Sequence, residues 1–556
     1  MLPPDTYDHM ADDILDLYGK LDRTILRDIV RRLVKAGRLT STAQWQTWRG
    51  QESGLLYDAI IRAAAETYGQ SEEAVRKVFD EAGQMAVAYD SRIYEAAGLS
   101  PPPLAFSPQA ARVLEAGLTK TNGFLRNLTL TTALGAQQAF ISAATLAEMQ
   151  VESGAFDYVT AIRNAVRQAA SGGQWVVYPT GHKDRLDVAV RRAVLTGVGQ
   201  TAAQIGLAYA EDMGCDLVEV TAHAGARTGL GVANHAGWQG KVYSRSGQHP
   251  KYPDFVKSTG YGTGPGLCGW NCRHSFYPFF EGLSESAYPR EEIAAMNSAT
   301  VEYDGETIPL YAATQRQRAM ERRIRDTKRE LAGLDAGIKA AEDDGLKQAL
   351  QEDFDAKSVA LKRQEAAYKD FVRRAGLQKD TSRVQVQGFG RSQAQKAVQA
   401  AKRDYEKFYA ETGDAFLPPT LAQFQQMQYT NPKEWGLNME AKKLFDKIDQ
   451  TESYSAEYRQ KLKQAYSFFR ENGFAFREHA LNRFLGQKNS KGKFHFTEDE
   501  LLEILRKDCN YTQADGKNIR YYNGIAVVSA VDTDEIVSIV VRGKPKADWR
   551  DTHDKK

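Results

Sequence analysis

Cysteine is scarce in this chain: four in 556 residues, too few and too scattered for a disulfide framework. Long apolar runs are missing as well. No stretch reaches the length of a transmembrane helix, and Met1-Leu-Pro-Pro lacks the basic and apolar regions of a signal peptide. The expectation is a protein made in a cytosol with no membrane partner. Charge of one sign is absent too. Seventy-three Lys and Arg face 71 Asp and Glu, a net of +2, so no global field draws the chain to nucleic acid or an anionic surface. The length instead suggests several domains.

What the chain does have is one dense run, Thr259-Gly-Tyr-Gly-Thr-Gly-Pro-Gly-Leu-Cys-Gly-Trp-Asn-Cys-Arg-His-Ser-Phe-Tyr-Pro278. Glycine at this density means backbone in conformations that side chains forbid. The run is not a phosphate loop, because no Gly-Lys-Ser/Thr follows the glycines. It holds Cys268 and Cys272, while Cys215 and Cys509 stand alone. Cys268, Cys272 and His274 invite a zinc reading, with His223, His235 or His249 as a fourth ligand. Cys-x3-Cys-x-His is not a standard zinc spacing, however. The preferred reading is a packed structural loop without metal or cofactor. Arg227, His235, Trp238, Gly260, Gly262, Cys268, Trp270, Cys272, Arg273 and His274 would hold it together. Trp270 is expected to supply buried area, with one N–H donor to satisfy.

Periodicity outlines the rest. Ile14, Leu17, Leu21, Ile25, Ile29 and Leu33 share one helix face, which Gly37 ends, and Thr40 or Ser41 can cap the next helix. A second helix is expected around Ala59–Tyr68, and Ser71-Glu-Glu reads as the start of a third. Helical patterns continue through Leu114–Met149, Asp157–Ala170 and Asp187–Met213. Trp175–Tyr178 and Leu217–Thr221 read as strands, and Val301–Tyr311 as a short hairpin. From Thr314 to Arg374 there is no proline, and Ile324, Leu331 and Ile338 fall seven apart. That seam restarts after Asp343-Asp-Gly345, as in an antiparallel helical hairpin or two coiled-coil segments.

Beyond Pro418-Pro and Asn431-Pro a second unit begins. Tyr458, Leu462, Ala465, Tyr466 and Phe469 mark one helix face, and Phe476–Phe484 another helix. Thr497 and Glu500 form a capping box. Ile519–Tyr522, an Asn523-Gly524 turn, Ile525–Val531 and Ile536–Arg542 read as a three-stranded meander, making an α+β domain. His479 and Arg483 share one helix face, and Ser538 and Arg542 one sheet face. If the two pairs met, they would provide an acid–base group and phosphate-binding donors, as metal-independent RNA cleavage requires. Lys491, Lys493 and Arg520 add positive charge. The plainer reading is that these are ordinary surface residues.

The glycine run, together with His235-Ala-Gly-Trp-Gln-Gly-Lys-Val-Tyr243, resembles the phage minor capsid protein 2 family of minor head proteins. Asp187–Gly197, Arg227 ahead of His235, and Gln387-Gly-Phe-Gly-Arg391 extend the resemblance across residues 10–400, with Thr228–Asn234 as a loop insertion. The resemblance implies a virion protein made in the bacterial cytoplasm, with the phage portal and major capsid protein as partners and possible self-association through the coiled coil. The Gly-Ile-Ala-Val-Val and Ile-Val-Ser-Ile-Val-Val phrases, with His479-Ala-Leu-Asn-Arg-Phe484, resemble phage-borne nuclease domains of the barnase–EndoU–colicin–RelE superfamily. That second resemblance implies a C-terminal ribonuclease or toxin with His479, Arg483, Ser538 and Arg542 as catalytic residues and RNA as substrate. The alternative is a binding module on a similar scaffold. An enzyme of the ADP-ribosyltransferase type at the glycine run is disfavoured, because no Arg…Ser-Thr-Ser…Glu-x-Glu set is present.

The expected fold is therefore multidomain. It has an N-terminal helical region (1–120), a small α+β Gly-rich core (121–312), a helical hairpin (313–400), a linker (401–440) and a C-terminal α+β domain (441–556).

Overall fold

A computed structural model describes all residues except 4, 5, 8, 38, 40, 173, 174, 179, 413–416, 488–494, 532–534 and 553–556. Lys491, Lys493, Thr40 and the Asp532 turn therefore lie outside the described residues. The chain is mostly helical with small antiparallel sheets, and it divides into two compact units, Met1–Val398 and Gln399–Lys556.

In the first unit, α1 (Asp12–Val34), α2 (Thr42–Ala96), α3 (Pro108–Glu152), α4 (Tyr158–Gly172) and α5 (Leu186–Asp212) pack around one apolar core. Ile14, Leu21, Ile25, Ile29 and Leu33 of α1 are buried in it, as their spacing predicts. Ser41 caps α2, its hydroxyl accepting from the Gln44 N–H. The break expected at Ser71 does not occur. The Ser71 hydroxyl donates to the Tyr68 carbonyl 2.8 Å away, inside a continuous helix of 55 residues. A serine facing back along its own helix carries no stop signal.

Three short elements build the glycine-rich region: α6 (His235–Trp238), α7 (Phe255–Thr259) and α8 (Arg290–Asn297). Strands β1 (Trp175–Val177) and β2 (Lys183–Arg185) pair antiparallel. Strands β3 (Leu217–Val220), β4 (Val242–Ser244) and β5 (Phe276–Phe279) form an antiparallel sheet in the order β4-β3-β5. The predicted hairpin is β6 (Thr300–Tyr303) with β7 (Glu306–Pro309). Its turn residues Asp304 and Gly305 both take positive φ.

The helical hairpin is present as α9 (Leu310–Ala340) and α10 (Asp344–Arg374), with the Asp343 carboxylate capping α10. Its seam is spent inside the chain. Ile324, Leu331, Leu334, Leu350, Phe354 and Leu361 belong to the same core as α1 and α4. The helices are therefore not a free-standing coiled coil: residues from the segments expected as 1–120, 121–312 and 313–400 all enter one large core, and a smaller separate cluster lies under the Gly-rich loop.

The second unit contains α11 (Arg391–Thr412), which begins just inside the first, then α12 (Leu421–Thr430), α13 (Pro432–Gln450), α14 (Ala456–Glu471), α15 (Glu478–Leu485) and α16 (Glu498–Leu505). Most of the described residues of the expected linker are helical, and it contributes Tyr405, Phe408, Leu417 and Phe424 to this unit's core. The capping box at Thr497 and Glu500 is formed on both sides. The meander is there with two short additions: β8 (Tyr511–Thr512), β9 (Asn518–Tyr522), β10 (Ile525–Ser529), β11 (Ile536–Val541) and β12 (Arg550–Asp551), in the order β11-β10-β9-β8-β12. Asn523 and Gly524 both have positive φ, as a two-residue hairpin turn requires.

Candidate functional site: a histidine and cysteine cluster beside a charged cavity

The glycine run folds back on itself in two backbone layers. The Leu267 N–H donates to the Thr259 carbonyl at 3.0 Å, and the Trp270 N–H to the Gly264 carbonyl at 2.7 Å. No side chain fits between the layers: a Cβ on Gly266 would lie 2.1 Å from the Gly260 carbonyl oxygen. Gly260 ends α7 in the left-handed region, against Val232 of the Thr228–Asn234 loop. Cys268 and Asn271 also take positive φ, a strain that non-glycine residues pay only where the surroundings over-determine it.

Under this loop sits the aromatic and imidazole core. His274 is 1% exposed and His235 2% exposed. Their rings meet edge to face at 5.3 Å, with Trp238 4.5 Å from His235 and 4.9 Å from His274. His223 stacks on His274 at 4.5 Å. Each buried histidine gives its Nε2 to an oxygen: His235 to the Pro265 carbonyl at 2.9 Å, His274 to Oε1 of Gln239 at 2.9 Å. Gln239 is fully buried and fixed in turn, donating to Asn297 Oδ1 at 2.7 Å. These bonds assign the proton of each neutral ring to Nε2 and leave both Nδ1 atoms as lone pairs.

Cys272 Sγ lies 3.6 Å from His274 Nδ1. Ligand atoms of His235, Cys272 and His274 all fall within 4.8 Å of one another. Burial, helped by Arg227 and His223, lowers the His235 pKa to about 4, and burial pushes His274 well below its usual value. Burial likewise raises the Cys272 thiol to about 11. Both imidazoles are therefore neutral and the thiol protonated at neutral pH. His235, Cys272, His274 and His223 also line the wall of a cavity of about 770 Å³. Arg318, Arg325, Arg329, Asp22 and Asp187 line the same cavity, and Arg329 donates to Asp22 at 2.6 Å.

Most of the residues singled out from the sequence converge here. Arg227 reaches the Trp270 carbonyl at 2.9 Å, and Arg273 lines the cavity. Cys268 approaches the His274 carbonyl at 3.6 Å and stands outside the three-ligand group. Of the three histidines offered as further ligands, His235 joins the group and His223 stacks beside it. His249 lies instead 3.6 Å from Glu281. Trp270 is a correction. It is 60% exposed, lying over Gly264, and the buried tryptophan is Trp238, whose Nε1 donates to the Val232 carbonyl at 2.9 Å. Gln239 and Asn297 complete the cluster without a motif that marks them. Only the position of Gln239 four residues after His235, on the same helix face, hints at a shared role.

The C-terminal set does not assemble. His479 and Arg483 are exposed on α15, whose Ala480, Leu481 and Phe484 pack with Val527 and Ile539 on one face of the sheet. Ser538 sits opposite Val528, which points to the other face with Ala526 and Trp549. Arg542 stacks on Trp549 at 5.6 Å. The two pairs thus flank the sheet from opposite sides, and a single phosphate cannot touch both. His479 instead lines a separate cavity with Glu440, Lys447, Arg477 and Glu535.

Among the described residues no helix is long and apolar enough to cross a membrane. The first unit is a long-helix scaffold carrying a glycine loop whose two layers are joined by backbone hydrogen bonds. Residues 2–373 match the family described as phage minor capsid protein 2, and the chain belongs to that family. A curated relative, described as "Structural protein" of Lactococcus phage LL-H, is 32% identical over 109 residues. That alignment covers 19% of this chain and 28% of the relative, so the chain spans well under a third of the relative it matches. No solved structure matches the chain.

Proposed function

We propose that this chain is a structural component of a bacteriophage head, made in the host cytoplasm and assembled at low copy number beside the portal and the major capsid protein. The observation that carries the reading is the family match through residue 373, which takes in nearly all of the first compact unit. The phage structural relative supports it. Mass spectrometry of purified particles should find the protein among head components. A protein that stays in the lysate and never travels with heads or proheads would overturn the assignment.

The second unit is best read as a folded binding module. Metal-independent RNA cleavage needs its acid–base group and its phosphate donors around one phosphorus. Here His479 and Arg483 lie on the helix side of the sheet and Ser538 and Arg542 on the other. The full chain incubated with total RNA in EDTA should leave the RNA intact. Fragments ending in 2′,3′-cyclic phosphate, lost with His479→Ala, would restore the ribonuclease reading.

A further inference from the structure

We propose that His235, Cys272 and His274 bind one zinc ion through His235 Nδ1, Cys272 Sγ and His274 Nδ1, with solvent from the adjoining cavity as the fourth ligand. The donor set is the mixed nitrogen and thiolate type that zinc prefers. Zinc ligands at about 2.0–2.3 Å place neighbouring nitrogen and sulfur atoms about 3.6 Å apart in a tetrahedron. Cys272 Sγ and His274 Nδ1 are 3.6 Å apart. A ring nitrogen of His235 lies within 4.8 Å of both, so closing the group takes a movement of at most about 1–1.5 Å toward tetrahedral spacing.

A zinc-binding histidine almost always gives its other ring nitrogen to a protein oxygen, which fixes the tautomer and the ring plane. Both histidines do so, His235 to the Pro265 carbonyl and His274 to Gln239. Gln239 and Asn297 brace that second bond, and Asn297 Nδ2 donates onward to the Ala236 carbonyl at 2.9 Å. The buried Nδ1 lone pair of His274 faces the Cys272 thiol at 3.6 Å. On binding, Cys272 loses its proton to solvent and the S–Zn bond forms. The ion, one thiolate and two neutral rings carry a net charge of +1. All three ligands line the cavity, so water or a small anion can complete the tetrahedron from that side. Cys268 is left out, although it is the other half of the conspicuous cysteine pair.

The test uses the full chain, purified from zinc-supplemented medium and without chelator. Metal analysis should find one zinc per chain. Cys272→Ala should reduce zinc to background while Cys268→Ala keeps it, with circular dichroism confirming that each variant is folded. If Cys272→Ala does not fold, Co²⁺ added to the metal-free wild type provides a second readout. A single-thiolate charge-transfer band with tetrahedral ligand-field absorption is expected, and competing Zn²⁺ should remove both. Gln239→Leu should weaken zinc affinity about 10–100-fold. Folded wild-type protein that takes up no zinc from solution, or loss of zinc in Cys268→Ala but not in Cys272→Ala, would overturn the site. The 3.6 Å contact would then be a thiol–imidazole hydrogen bond only.

Discussion

Replacing Gly266 by alanine drives a methyl group into backbone. Its Cβ would stand 2.1 Å from the Gly260 carbonyl oxygen, 2.5 Å from the Gly260 carbonyl carbon and 2.7 Å from the Thr259 carbonyl oxygen. Carbon and oxygen normally rest about 3.3 Å apart or more, so the two layers must separate by about 1 Å. Two hydrogen bonds hold those layers, Leu267 N–H to Thr259 O and Trp270 N–H to Gly264 O. Forced overpacking costs about 1–3 kcal/mol, and each strained bond about 0.5–1.5 kcal/mol, for a total of about 2–6 kcal/mol. Gly262 is the internal control. It has φ +88° and no atom within 4 Å of an added Cβ, so Gly262→Ala should cost only the left-handed penalty of about 1–2 kcal/mol. Two compact units need not unfold together. The measurement is therefore local: hydrogen exchange by mass spectrometry on peptides spanning 255–280, across a denaturant series. A Gly266→Ala protein no less protected than Gly262→Ala would refute the two-layer account of the glycine run.

The tryptophans separate in the same way. Trp238→Ala should cost about 3–5 kcal/mol in equilibrium unfolding, whereas Trp270→Ala, mostly in water, should stay within about 1 kcal/mol of wild type. Asp335 gives a pH signature. Burial pushes its carboxyl up, but bonds from Lys339, Lys396 and Gln393 at 2.5, 2.6 and 3.1 Å outweigh burial and hold it below the ordinary aspartate range. A depressed carboxylate stabilises fully above its unfolded pKa, and that stabilisation is lost as pH falls through the folded value. Asp335→Asn should therefore lower Tm at neutral pH and narrow its gap to wild type as the medium becomes strongly acidic. A gap that stays constant with pH would show that the ion pairs contribute nothing.

Much of the architecture was legible because it is periodic. The α1 stripe, the hairpin seam of α9 and α10, the capping box at Thr497 and the Asn523-Gly524 turn each follow from spacing within one element. What spacing omits is which neighbour covers a face. Ser538 pairs with Val528 on one side of the sheet, but α15 packs on the opposite side. Nothing local in either segment encodes that choice. The hairpin seam was readable as apolar, yet its partners α1 and α4 lie far away in sequence. Trp238 and Trp270 sit in equally Gly-rich surroundings, and only the folding of the run over His274 decides which one is buried. The cysteine pair pointed to the right neighbourhood, but the close group takes one cysteine and a histidine 37 positions upstream.

The unbroken α2 has a mechanical consequence. At about 1.5 Å per residue its 55 residues make a rod of about 80 Å. Proline and cis peptide bonds are both absent along it, and the Ser71 hydroxyl is bonded back within the rod. One hydrogen-bonded backbone therefore links Trp45 to Tyr94, with Gly50, Gly54, Gly69 and Gly83 as its most pliable points. Ser71→Pro would remove a rung of that ladder and place a kink near its middle.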